Sequence, residues 1–560
     1  MRTFKIKIAF FGAALTSLLF FEGCKKDFGL TNTNPSNVTQ PEIKFLLTYA
    51  EEKVAEGHTN EWVYEGFEQL LRYSQHVTTN SAELFPSINS RYSHYYSSIL
   101  PNLFEIRQQI GTKEDKLNYA KMAAVTRILQ VLYGIRVTDL NGSIPYTQAI
   151  KGRSEGVLNP VFDDQKTLFS TWLVELNSSI TDLSVPDNLN TKSFGNSDIF
   201  YNSDWSKWIK LANSLKLKIA ARYENQDKVK TADIVKEVLS NAYGPLQAIS
   251  DNLQYSSPAN NGVGGDINYR AVKYGSIAII DFMKKVTDPR LMIYFSPNDL
   301  VNSYLDTIKK YSVTLPDFIN ISDPLVRFQG APTDLNRVGV KQKDYVSGNT
   351  FNVSASNKYN LISTINRRFF SPRYDGNQSG KYTELIVGAA ESCLLVAEFI
   401  KKGYVTGDAV SWYKKGVTAS IGSMNNIAIA AGSTTAFSGD GSTIINAYLV
   451  NPLISLGNSL DLEKIYAQEH LNLIREPNEA YVFCRRTGYP SLTSTYFPRE
   501  PFSENIARRF WIDNPGEVNR VNWADAYLKQ GFTQNTRSIS LLATERVWYD
   551  ITAPKFGEGK

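Results

Sequence analysis

Four histidines, His58, His76, His94 and His470, are the only imidazoles among 560 residues, and none stands in a His-Glu-x-x-His pair or beside a Cys-x-x-Cys. Zinc chemistry has no sequence support, and neither a metal nor any other cofactor is expected. No Gly-x-Ser-x-Gly elbow or Gly-x-x-x-x-Gly-Lys-Ser/Thr phosphate loop occurs, and Gly262-Val263-Gly264-Gly265-Asp266 lacks the strand and helix that nucleotide binding needs around it. Glycoside hydrolysis needs two carboxylates at a set separation. Glu391 or Glu479 would be acids to consider, but no pattern marks them, and the chain reads as a binding protein rather than an enzyme.

The positive chemistry is aromatic. Trp, Tyr and Phe make up 12% of the chain, with 31 tyrosines. A flat ring covers the C–H face of a sugar while polar neighbours meet its hydroxyls. Rings at helical spacing belong to the core, so the ligand candidates are rings in loop stretches: Phe85, Tyr92, Tyr304 and Tyr345. Arg485-Arg486 offers guanidinium forks that suit carboxylates, but at a helix end such pairs more commonly satisfy carbonyls or acidic neighbours. Glu391 and Glu398, seven apart on one helix face, read as partners for such arginines or as solvated charges. Asp139 reads as a cap or brace for its own turn.

Helical spacing dominates the elements that must position these residues. In 120–137, Met122, Val125, Leu129 and Leu132 step by three and four, with Ile128 and Ile135 widening the stripe. Residues 205–223 repeat this with Trp208, Leu211, Leu215 and Ile219, and Asp204 stands at the N-cap. A third helix is expected over 382–402, with Ala389, Ala390 and Ala397 permitting close approach. Gly403 and Gly407 punctuate, Asp408 caps, and 409–421 forms its partner. Such hairpins are the unit of tetratricopeptide solenoids, although no full repeat consensus is visible. The fold class is therefore all-α, a superhelical frame of hairpins packed with an irregular loop-rich portion. The long irregular stretches are 79–91, 248–268, 314–351 and 434–459, where binding surfaces commonly lie.

A basic start, Arg2, Lys5 and Lys7, precedes an apolar run from Ile8 to Phe21 that is too short for an ordinary membrane-spanning helix. Phe21-Glu22-Gly23-Cys24 resembles a bacterial lipobox, with Glu22 departing from the usual small residue. The expected organisation is a lipoprotein signal over 1–23, a lipidated tether over 24–41 beginning at Cys24, and one binding domain over 42–560. A plain secretory leader or an uncleaved anchor is the alternative. The formal charge of +5 falls to +3 without Arg2, Lys5, Lys7 and Glu22, a balance that favours neither nucleic acid nor a polybasic membrane patch. Membrane contact through the lipid alone is expected. Cys393 and Cys484 read as buried thiols rather than a disulfide framework.

Thr138-Asp139-Leu140-Asn141-Gly142-Ser143-Ile144-Pro145-Tyr146 is physically a helix exit, a turn and a ring with a polar tip. It also resembles a segment of the SusD/RagB-like nutrient-binding lipoproteins, and other segments resemble that family in the same order: Asn32-Thr33-Asn34-Pro35, the 201–223 helix, Asp288-Pro289-Arg290-Leu291, Ala390-Glu391 with Ala397-Glu398, and Glu479-Ala480 with Arg485 to Pro490. Residues 294–382 match weakly, as a specificity-bearing insertion would. The resemblance implies four tetratricopeptide-like hairpins and a lipid-anchored location on the outer membrane, exposed at the cell surface. It also implies capture of a glycan, or in some branches a peptide, for a TonB-dependent transporter over which the protein sits as a lid. A lipid-anchored polysaccharide hydrolase is the competing reading.

Overall fold

Helix pairing follows directly from the apolar stripes. The structure is a computed structural model describing residues 41–560, apart from 57–59, 80–88, 259–271, 338, 342–344, 346–350, 371–378, 440, 535–536 and 559–560. Cys24 with its leader, Phe85 and the glycine run 262–265 thus lie outside the described residues.

Eight helices form four successive antiparallel pairs: α1 (Ile43–Glu56) with α2 (Leu100–Gly111), α3 (Ala120–Asn141) with α4 (Gln165–Ser184), α5 (Trp205–Tyr223) with α6 (Lys228–Ser240), and α7 (Ala389–Lys401) with α8 (Ala409–Ala430). Two further helices, α9 (Asp461–Asn472) and α10 (Pro477–Thr487), pack across the frame. The cap residues act as the sequence indicates. Asp204 accepts from the amides of Ser206 and Lys207, and Asp408 from that of Ser411, satisfying donors that have no partner inside the helix. Gly416 sets the closest approach: a Cβ there would lie 2.6 Å from Cγ of Leu394, so α7 and α8 meet only because that position has no side chain.

One helix expectation fails. Residues 381–387 form strand β8 (Lys381–Val387), paired antiparallel with β2 (Leu253–Pro258), and α7 begins only at Ala389. Thr383, Ile386 and Val387 are β-branched and the run is buried on both faces, so its apolar residues satisfy a strand as well as a helix. Helix α3 runs one turn beyond the 120–137 expectation, and α8 continues past residue 421 to Ala430. A small antiparallel sheet, also unforeseen, has the order β1 (Val77–Thr79), β3 (Val272–Gly275), β7 (Thr364–Ile365), β4 (Phe295–Ser296).

Buried ion pairs fasten α10 to the frame. Arg222 of α5 holds Asp139 of α3 at 2.8 Å and Glu479 of α10 at 2.7 Å, with Arg222 and Asp139 wholly buried. Asp139 therefore braces two other helices, which corrects the expectation of a local cap; Asn478 also donates to it at 3.0 Å. Arg486 forks onto Glu398 at 2.6 and 2.8 Å and reaches Glu224 at 2.7 Å, while Arg485 donates to the carbonyls of Arg508 and Asp139. Both arginines are structural donors. Glu391 pairs with Lys218 rather than with an arginine. Cys393 and Cys484 are free and buried, and burial pushes the Cys393 thiol up to about 12.

Glu398 supplies a pH prediction. Burial alone would raise its carboxyl, but Arg486 and Lys402 outweigh burial and hold it down at about 2. A depressed acid contributes stability that is fully present above its unfolded value, about 4.3, and lost as pH falls through the folded value. The melting temperature should therefore drop between pH 4.5 and pH 2, and less steeply in Glu398→Gln. Thermal melts of both proteins across that window check this; equal slopes would contradict it.

Candidate functional site

The stretch of weak resemblance folds as a lobe issuing from the sheet. Strands β4 and β7 are antiparallel neighbours, with Phe295 opposite Ile365 and Ser296 opposite Thr364, so residues 297–363 leave and re-enter at adjacent points. Asn298 knits the base: its amide donates to the carbonyls of Val326 and Leu361 at 3.1 and 2.8 Å, and its oxygen accepts from the Leu300 amide at 3.0 Å. Gly330 lies against the frame so closely that a Cβ would stand 2.5 Å from the Ile277 backbone.

Leu300, Ile308, Ile319, Val353, Tyr359 and Leu361 give the lobe its own small core. The helix Asn302–Lys310 turns Leu305 and Ile308 inward, three residues apart, and leaves Tyr304 on its outer side. The hairpin of β5 (Phe351–Asn352) and β6 (Lys358–Tyr359) closes through Asn357, which donates to Ser354 at 2.7 Å. Tyr304 stacks on buried Tyr359 with ring centroids 4.3 Å apart and planes 17° from parallel, and Tyr304 remains 39% exposed. The result is a two-ring slab with one open face, on a helix and hairpin that also expose Asn302, Ser303, Asp306, Asn352 and Lys358. A second stack pairs Phe318 with Tyr345 at 4.7 Å and 19°. Phe318 touches both small apolar clusters, so the two stacks share one lobe.

The lobe thus unites Tyr304 and Tyr345. Tyr92 sits elsewhere, on the helix Ser90–His94 against Tyr96 at 4.7 Å, partly buried at the edge of the main core. Burial, with Tyr527 adding to it, pushes its phenol well up. Tyr92 and Tyr304 lie on short helices rather than in loops. Their segments are too brief for a stripe to show, and tertiary contacts decide them. Tyr359 and Phe318, the partners in the stacks, were missed; the turn Ser354-Ala355-Ser356-Asn357 between two short apolar-polar runs was the available hairpin signal for Tyr359.

The acids named for hydrolysis are committed to cations, Glu479 to Arg222 and Lys218, and Glu391 to Lys218. Among the described residues no three His, Cys, Asp or Glu side chains are placed to hold a metal. His76 and His470 stack at 3.9 Å in the interior, where burial pushes His76 down to about 4.

Residues 35–511 match the family model described as SusD-like, starch-binding associating with outer membrane. The chain belongs to the SusD-like family. Among solved structures, a chitin-binding protein is 23% identical with a TM-score of 0.68, the alignment covering 91% of this chain and all of that one. A SusD homolog from Bacteroides fragilis is 20% identical (TM-score 0.66; 91% and 99% covered). A chitin-binding SusD homolog from Flavobacterium johnsoniae is 18% identical (TM-score 0.64; 91% and 99% covered). At such identities these share the fold: the helical hairpin frame is the SusD-like one. No curated sequence matches the chain. No described helix is long and apolar enough to cross a membrane.

Proposed function

We propose that this SusD-like chain is a cell-surface lipoprotein, held at the outer membrane through acylated Cys24, that binds a nutrient glycan and passes it unchanged to a partner TonB-dependent transporter. The observation that carries the glycan reading is the Tyr304–Tyr359 slab, with one open aromatic face on a helix and hairpin that expose polar side chains. Ring stacking over C–H surfaces together with hydroxyl-matching neighbours is the chemistry a pyranose requires. Family membership supports the outer-membrane setting. Residues 1–23 act as the export signal and 24–41 as the tether that lets the body move over the transporter.

Fractionation tests the anchoring and delivery parts. Cys24→Ala is expected to leave the fold and ligand affinity unchanged and to release the protein from membranes, since acyl chains contribute about 0.8 kcal/mol per buried methylene. The wild-type lipoprotein should co-purify with a TonB-dependent transporter. Retention of Cys24→Ala in the outer-membrane fraction of cells lacking that transporter would overturn the lipid anchor, and a wild-type protein that never co-purifies with one would overturn the partnership.

A further inference from the structure

A second cleft lies inside the frame, away from the lobe, where α1, α3, β8 and the start of α10 meet. Its volume is about 70 Å³. Counted at roughly 10–15 Å³ per water centre, that is about five waters, and at about 30 Å³ of liquid each the space matches one sugar ring.

Two aromatic rings stand among aliphatic and charged side chains in its walls. Trp62 and Tyr382 stand at 6.3 Å with planes 76° apart, and the Arg475 guanidinium lies over both, 5.6 and 5.3 Å from the ring centroids. Three of the residues that line the cleft carry a buried polar atom with no hydrogen-bond partner in the protein: the indole Nε1 of Trp62, Nε of Arg475 and Oε1 of Glu476. These residues are 8% or less exposed, and an unmade bond at such a site is costly.

Charge decides between ligand classes. Four basic and four acidic side chains line the cleft, which favours a ligand without net charge. Most of the charged groups are already engaged. Arg475 gives its two terminal nitrogens to the carbonyls of Phe369 and Thr383. Glu61 accepts from Tyr133 and Glu384 from Tyr382, while Lys218 is taken by Glu391 and Glu479. Arg136 has no ion pair within 4 Å among the described residues, and its charge offsets Glu384 and Glu476 at longer range. What is left is the Arg136 guanidinium, two single donors and one acceptor on residues around two rings, a mixture that hydroxyl groups satisfy because each can donate and accept.

We infer that this cleft is a second ligand site, taking one neutral polyol of hexose size, separate from the Tyr304 slab and independent of it. Ligand-observed NMR of the full chain with glucose, N-acetylglucosamine and glycine tests the inference. Saturable binding of a monosaccharide is expected, with a Kd of about 1 mM given the ligand's size. Trp62→Phe, which keeps a ring and removes the indole donor, should weaken binding at least fivefold, whereas Tyr304→Ala should leave it unchanged. Ala55→Leu, which fills the cleft with methyl groups, provides a second variant should Trp62→Phe fail to fold, and should abolish binding. Absence of saturation by either sugar up to about 50 mM, binding of glycine in place of sugar, or monosaccharide binding lost in Tyr304→Ala and kept in Ala55→Leu would overturn the inference. Retention of oligosaccharide binding in that case would leave the slab reading standing.

Discussion

Arg222→Ala should cost about 3–5 kcal/mol of folding free energy, the range for removing one partner of a buried ion pair. Arg222 is the shared cation of Asp139 and Glu479, on three different helices, and none of the three side chains is more than 12% exposed. With the guanidinium gone, two carboxylates stay in the interior, and water reaches neither well enough to replace the four hydrogen bonds they lose. Urea unfolding followed by circular dichroism measures the effect as a lower midpoint at constant slope. Combining Arg222→Met with Asp139→Asn and Glu479→Gln should recover part of the loss, because the penalty comes from uncompensated charge more than from the pair's own worth. A single variant within 1 kcal/mol of wild type would mean that the network carries little of the frame's stability.

The second large effect concerns ligand. Tyr304→Ala should weaken oligosaccharide binding about tenfold or more, as truncation of a central aromatic anchor commonly does. Because Tyr304 is the exposed member of its stack, the melting temperature should change little. Tyr359→Ala is the contrasting variant: Tyr359 is 5% exposed within the lobe's core, so its loss should destabilise the lobe as well as the slab. Calorimetric titration of both variants separates the roles. Undiminished affinity in Tyr304→Ala would place the glycan elsewhere on the molecule.

The hairpin frame was readable because its signals are local. Apolar residues at three and four spacing and acidic N-caps at Asp204 and Asp408 mark helices without reference to the rest of the chain, and these helices begin where the pattern put them, although α3 and α8 run further than it indicated. The failures share a cause, which is distance along the chain. β8 pairs with residues 253–258 far upstream, and a buried strand and a buried helix carry the same apolar residues. Asp139 looked like a turn residue because its partners, Arg222 and Asn478, lie 83 and 339 positions away. Arg485 and Arg486 were recognisable as donors at a helix end, but only packing shows that their acceptors come from five separate segments. The aromatic candidates could be drawn from loop stretches, yet which ring keeps a face in solvent depends on a hairpin and a short helix meeting, and no periodicity records that.

Capture of a glycan without chemical change is the central claim, and one titration tests it most directly. The full chain is titrated calorimetrically against a panel of oligosaccharides and peptides, and each mixture is then assayed for new reducing ends. Saturable binding of at least one oligosaccharide is expected, with the same oligosaccharide recovered intact. Binding of peptides alone, or new reducing ends in place of a stable complex, would contradict it.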